Sequence, residues 1–282
     1  MMSIRIALIQ LRVVGSKREI LRKAVESIQT AVNDKLATVV VLPESFNCPY
    51  DEEALKQSAE RIPSGETSET LSKAAKDFGV YVVGGSIVET SSDDGLLYNT
   101  CVVWNPSGQM VAKYRKIHLG DANSSSKPII QESALFTAGN SFATFQVGSV
   151  KFGLGICWDM RFPEMASIYR QLGCAALIYP SLCDVKTGEL HWELLARSRA
   201  LDYQMFVAFC SPAKNSAAKL VAFGHSLVAD PWGKTIAMGS EGEEIVVADL
   251  KLDLLAAVRL QIPVSQQRRD DLYEVRNKTR MD

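Results

Sequence analysis

Apolar positions along this chain recur with a period of two in some stretches and of nearly four in others, and the switches outline its elements. Ile4–Gln10 reads as a strand, and Leu21, Ala24, Val25, Ile28 and Val32 form the stripe of a helix. Thr38–Leu42 reads as a second strand, Leu71, Ala74, Ala75 and Phe78 mark a second helix, and Val80–Gly85 a third strand. Asn99–Asn105 and Gln109–Lys116 are two more strand-like runs, joined by the turn signal Pro106-Ser107-Gly108. The second half repeats the order. Val150–Cys157 leads to a helix near Pro163–Leu172, then a strand at Ala175–Pro180, a helix near Trp192–Tyr203 and a strand at Met205–Ser211. Runs at His225–Asp230 and Glu244–Asp249 close it, with Pro231-Trp232-Gly233 as the turn between them.

Two βαβαβ halves, each ending in hairpin-like strands, predict an α/β fold. The expectation is a four-layer α-β-β-α sandwich of two mixed β-sheets with pseudo-twofold internal similarity, the sheets face to face and the helices outside. The unbroken apolar runs Val39–Leu42 and Ala176–Tyr179 suit strands covered on both faces. No Pro/Gly/Ser-rich linker separates the halves, so residues 1–262 are expected to form a single domain and 263–282 a polar tail over the surface or onto a partner subunit. The flexible-looking stretch is Gly120–Lys127, with its serine run Ser124–Ser126.

Composition removes several classes of function. A net charge of -1 gives no electrostatic footprint for nucleic acid or for an anionic membrane. No apolar stretch reaches the roughly 18 residues of a membrane helix, and Arg5 interrupts what would be a signal-peptide core. The six cysteines lack C-x-x-C spacing and read as a reduced, intracellular set. His118, His191 and His225 lie in separate segments, which argues against a histidine-rich metal site, and no phosphate-binding glycine motif occurs. A cytoplasmic protein without cofactors is the expectation, with a mitochondrial location also compatible.

Candidate chemistry sits at three strand ends. Thr38–Leu42 runs into Pro43-Glu44, Gln109–Tyr114 into Arg115-Lys116, and Val150–Ile156 into Cys157, which meets a helix-start signal at Pro163. Residues at the carboxyl ends of neighbouring strands converge on one crevice. A thiol on a strand-to-helix turn is in a nucleophile's position, and a helix N-terminus would favour its thiolate. Glu44, past a wholly apolar strand, would be desolvated enough to act as a base near neutral pH. Lys116 and the Trp158 backbone N–H would hold a developing oxyanion.

The segments Leu42-Pro43-Glu44, Tyr114-Arg115-Lys116-Ile117-His118-Leu119 and Gly155-Ile156-Cys157-Trp158-Asp159-Met160-Arg161-Phe162-Pro163-Glu164 resemble, in order, the three signature motifs of the nitrilase superfamily of carbon–nitrogen hydrolases. Phe46–Tyr50, Leu97–Thr100, Gln131–Ser133, Thr187–Trp192 and Asp230–Gly233 extend the resemblance to its ω-amidase branch. That resemblance implies Glu44 as base, Lys116 as oxyanion group, Cys157 as acylated nucleophile and Glu132 as the second glutamate that positions lysine and substrate. It implies a cofactor-free hydrolysis, through a thioester, of small dicarboxylic acid monoamides such as 2-oxoglutaramate and 2-oxosuccinamate. Arg161 would pair with the distal carboxylate, Tyr50 would lend a hydroxyl, and the chain would form a homodimer. Alternatives are another amidase of the superfamily, acting on deaminated glutathione or N-carbamoyl amides, and a non-catalytic binding protein on the same fold. Gly120-Asp121 and Cys183-Asp184 depart from the branch pattern of Phe-Asp and Phe-Asn.

Overall fold

The computed structural model describes residues 3–121 and 130–279, so the serine run Ser124–Ser126 lies outside the described residues. Its elements run β1 (Ser3–Gln10), α1 (Lys17–Asn33), β2 (Val39–Val41), α2 (Glu52–Gln57), α3 (Glu66–Phe78), β3 (Tyr81–Val83), β4 (Ile87–Thr90), β5 (Leu97–Trp104) and β6 (Met110–Arg115). They continue with α4 (Glu132–Leu135), β7 (Thr144–Val147), β8 (Val150–Leu154), a 3-10 turn (Cys157–Arg161), α5 (Pro163–Gln171), β9 (Ala176–Pro180) and α6 (Val185–Tyr203). The last elements are β10 (Phe206–Cys210), β11 (Leu227–Ala229), β12 (Thr235–Met238), β13 (Glu244–Lys251), α7 (Leu252–Gln261) and a second 3-10 turn (Val264–Gln266).

Two mixed sheets result. One follows the order β13-β1-β2-β3-β5-β4 with β6 paired to β5; the other runs β12-β11-β10-β9-β8-β7. The period of two in β1 decides what each face buries. Ile4, Ile6 and Leu8, with Val39 and Val41, join Phe152 and Leu154 in a core shared by both sheets. Ala7, Ile9, Val40 and Leu42 turn the other way, onto Ile20, Leu21, Ala24 and Ile28 of α1 and Leu71 and Ala74 of α3. The sandwich expected from the sequence is therefore present, with α1 and α3 on one outer face and α5 and α6 on the other. Ser16 caps α1 and Glu19 reaches back to the Ser16 N–H at 2.8 Å, which fixes where that helix starts.

The internal symmetry is broken at its end. The expected hairpin between His225–Asp230 and Glu244–Asp249 does not form. The turn at Pro231–Gly233 instead joins β11 to β12, and β13 crosses to the first sheet, pairing antiparallel with β1 from Ser3↔Lys251 to Gln10↔Glu244. The overlooked β12 is an edge strand with alternate residues exposed, so it carries no continuous apolar run. Two other short strands, β4 and β7, escaped for want of length, and α2 and α4, of six and four residues, are too short to show a helical stripe. The tail lies across α5 of its own chain, where Gln171 donates to the Val275 carbonyl at 2.9 Å and Arg268 to Ser167 Oγ at 3.3 Å. Among the described residues no helix is long and apolar enough to cross a membrane.

Candidate active site

The carboxyl ends of β2, β6 and β8 deliver Glu44, Lys116 and Cys157 to one place. Past β2 the chain turns at Ser45 (φ +48°), and past β8 at Cys157 (φ +42°), two of the five non-glycine residues with positive φ among those described. Such backbone costs on the order of 1–3 kcal/mol per residue and persists where surrounding contacts enforce it. Gly85 provides one of those contacts: a Cβ there would lie 2.1 Å from the Pro43 carbonyl oxygen, so only glycine lets β3 run this close to the Glu44 turn. Gly155 does the same before the cysteine, where a Cβ would come within 2.4 Å of the Tyr179 ring. From α6, Arg199 Nε donates to the Met160 carbonyl at 3.0 Å and Nη2 to that of Arg161 at 3.1 Å, clamping the far side of the cysteine turn.

Lys116 is the hub. Its side chain is buried, and Nζ donates to Glu44 Oε1 at 2.9 Å and to Glu132 at 2.8 Å. Burial alone would lower the ammonium's pKa, but the carboxylates of Glu132 and Glu44 outweigh it and hold the group well above the ordinary lysine range. For Glu44 burial prevails over the attraction of Lys116, and its carboxyl titrates above the usual carboxylate range. Asn99 Nδ2 also donates to Glu44 Oε1 at 2.9 Å, while the Asn99 carbonyl accepts the Lys116 N–H at 2.8 Å. Glu132 accepts the Tyr50 O–H at 2.8 Å and the Gly120 N–H at 2.6 Å.

The half-buried Cys157 lies near enough to Glu44 to feel its charge, and its S–H donates to the Leu182 carbonyl at 3.3 Å. The expected helix-stabilised thiolate is not what this geometry gives. A 3-10 turn separates Cys157 from the first turn of α5 at Pro163, so the helix end is too far to act. Desolvation and the Glu44 charge instead push the thiol well above its ordinary pKa, leaving a neutral S–H beside a carboxylate. Such a pair can pass a proton from sulfur to carboxylate and does not hold a resting thiolate.

The remaining predicted residues divide. Trp158 follows the sulfur, and among the described residues its backbone N–H meets no protein acceptor. Arg161, at the end of the same turn, stacks over the Trp158 ring at 4.4 Å and donates from Nη1 to His191 Nδ1 at 3.3 Å. Among the described residues it has no carboxylate partner, and its charge reaches Cys183, next to Leu182. The Tyr50 hydroxyl hydrogen is committed to Glu132, so it is not free for a substrate carboxylate. Sequence reasoning missed Asn99 and Gly120 as parts of the site. An asparagine at the start of a strand-like run was the available signal for Asn99, since a buried amide needs partners. Gly120 acts through its backbone and gives no side-chain signal. A cavity of about 290 Å³ opens beside the site, lined by Ser45, Tyr50, Leu182, Ala213, Asn215 and Lys219.

A buried Glu–Lys–Glu cluster facing a strained cysteine turn, between two mixed sheets, defines a class. A family model for carbon–nitrogen hydrolases matches residues 5–260, and the chain belongs to that family of amide-hydrolysing enzymes. It is 48% identical over 278 residues to the omega-amidase NIT2 of Homo sapiens and 46% identical to that of Mus musculus, covering 99% of this chain and of each relative. Among solved structures, Saccharomyces cerevisiae Nit3, of branch 10 of the nitrilase superfamily, superposes with a TM-score of 0.87 at 38% identity, over 95% of this chain and 97% of that one.

Proposed function

We propose that this protein is an ω-amidase, a cysteine-dependent enzyme that hydrolyses the terminal amide of small dicarboxylic acid monoamides such as 2-oxoglutaramate and 2-oxosuccinamate. The observation that carries the reading is Lys116 bridging Glu44 and Glu132 beside a neutral Cys157 thiol. Full-length likeness to proteins named omega-amidases supports the substrate class. Cys157 attacks the amide carbon as Glu44 takes the thiol proton. The oxyanion is held by the Lys116 ammonium and the Trp158 N–H. Collapse to the thioester releases ammonia, protonated by Glu44, and water activated by the same carboxylate then frees the acid. Glu132 and Tyr50 keep the ammonium aimed.

Ammonia release across a panel of 2-oxoglutaramate, 2-oxosuccinamate, deaminated glutathione and N-carbamoyl acids tests the assignment. Preference for either of the last two moves the protein to another branch, and no release from any leaves a binding protein. In this reading the guanidinium of Arg161, which has no carboxylate partner among the described residues, receives the distal carboxylate. Arg161→Met is expected to raise KM for acidic amides by about 10- to 100-fold, the loss of a charge-assisted pair of about 1.5–3 kcal/mol. Neutral amides should be affected little; equal effects on both would reject the role.

We further propose a homodimer formed through α6. That helix is apolar on both sides: Trp192, Ala196 and Ala200 face the core, while Leu190, Leu194 and Leu201 are each more than half exposed on the opposite face. A dimeric mass in light scattering, reduced to a monomer by Leu194→Asp, is expected, and a monomeric wild type would end the proposal. Six free cysteines support a reducing compartment such as the cytoplasm.

A further inference from the structure

We propose that Asp159 is a positioning residue for the reaction: one buried carboxylate ties the end of β6 to the cysteine turn and thereby sets the separation of the Lys116 ammonium from the Cys157 sulfur. The inference rests on the reading of Lys116 as the oxyanion group and of Cys157 as the nucleophile.

Asp159 has no exposed surface. Its Oδ2 accepts the Ile156 N–H at 2.8 Å and the Tyr114 O–H at 2.7 Å. Its Oδ1 accepts the His118 N–H at 3.0 Å and lies 2.7 Å from His118 Nδ1. The Tyr114 oxygen in turn accepts the Ile117 N–H at 3.3 Å. Donors thus come from both sides of Lys116, residues 114, 117 and 118, and from the residue just before Cys157. Lys116 and Cys157 belong to different sheets, so no β-ladder fixes one against the other. The Asp159 carboxylate supplies that missing link.

Among the described residues no lysine or arginine pairs with Asp159; its ionisable partner is the His118 imidazole. Arg161, the cation on the same turn, points to Trp158 and His191 instead. Nor does Asp159 reach the Lys116 ammonium, whose two carboxylate partners are Glu44 and Glu132. The His118 ring is itself held, stacked on Phe162 with centroids 3.7 Å apart and planes 10° off parallel, so both ends of the link are rigid. The Ile156 N–H, the Tyr114 O–H and the His118 N–H all donate to Asp159, whose two oxygens serve them as acceptors. An amide would turn its own N–H donors against at least one of them, and the turn would shift. A displacement of about 1 Å at a reacting group costs on the order of 10²-fold in rate.

The test is Asp159→Asn in the full-length protein, using an amide that the wild type hydrolyses. The expected result is a fall in kcat on the order of 10²-fold with KM changed by no more than about threefold, because Arg199 still clamps the Met160–Arg161 end of the turn that carries the carboxylate-binding guanidinium. Alkylation of Cys157 by iodoacetamide makes no oxyanion, and its rate should stay within about threefold of wild type. Tyr114→Phe, which removes one donor and leaves the carboxylate, should show the same split with a loss of about tenfold in kcat, and it carries the test if Asp159→Asn does not fold. Wild-type kcat in either folded variant overturns the inference. So does a loss of kcat and of alkylation in parallel, which a merely structural residue would give. Trapping of the acyl group by hydroxylamine in the wild type separates the two levels: a wild type that forms no acyl-enzyme removes the underlying reading, whereas an active wild type with an unimpaired variant removes only the role of Asp159.

Discussion

Replacing Cys157 with alanine is expected to reduce ammonia release from amides by on the order of 10⁴-fold or more, the scale seen when a covalent nucleophile is removed from a site whose parts act as a unit. The other five cysteines cannot substitute. Cys48, Cys101, Cys174, Cys183 and Cys210 are all buried, and desolvation raises the pKa of every one. Cys183, the nearest to the centre, is pushed up to about 11 and is engaged with Thr187 at 3.1 Å. The fold should not suffer, because Cys157 is half-buried and alanine removes one sulfur without orphaning a buried donor. A variant that melts like the wild type, binds the amide and releases no ammonia is the expected outcome. Residual turnover within tenfold of wild type would mean that the sulfur does not attack.

Much of this centre could be read from the chain, and the reasons are specific. Glu44, Lys116 and Cys157 each follow a strand-like run, and the rule that strand carboxyl ends converge needs only the strands' existence. The burial of Glu44 followed too, since Val39–Val41 is covered on both faces. What escaped depends on pairing. Nothing local in Glu244–Lys251 says that it will leave the second sheet for β1; the choice is made by the inward row Val246, Ala248 and Leu250, which completes the core between the sheets. The state of the thiol escaped for the same kind of reason. A turn of Cys-Trp-Asp-Met-Arg before Pro163 can be the first turn of a helix or a separate 3-10 turn, and the clamp by Arg199, forty residues on, decides it. Asn99 joins the site because the register Thr100↔Arg115 sets it beside Lys116, and register is not visible in either strand alone.

Glu44→Gln is the sharper probe of mechanism, because it should change rate and pH dependence together. General acid–base groups contribute about 10²–10⁴-fold, and in the proposed mechanism Glu44 serves attack, ammonia departure and deacylation, so a loss near the upper end is expected. The base must be ionised to take the thiol proton. Burial raises the pKa of Glu44, so wild-type activity should fall as pH drops through a value above the usual carboxylate range. The alkaline side should stay flat well past neutrality, because the ammonium of Lys116 and the thiol of Cys157 are both held well above their ordinary values. In Glu44→Gln the acidic limb should vanish from the residual activity. Stability should move the opposite way from activity. A carboxyl whose folded pKa is raised favours the folded state at pH below its unfolded value, and that contribution is lost as pH rises through the folded one. Once ionised, Glu44 is therefore a cost to the folded state. Glutamine keeps an oxygen for the Lys116 and Asn99 donors and removes that charge, so Tm at neutral pH should equal or exceed that of the wild type. Lys116→Ala would instead leave two buried carboxylates facing each other, and a loss of activity there would say little about chemistry. A Glu44→Gln protein that melts well below the wild type, or that keeps the acidic limb, would show that this carboxylate holds the fold together rather than moving the proton.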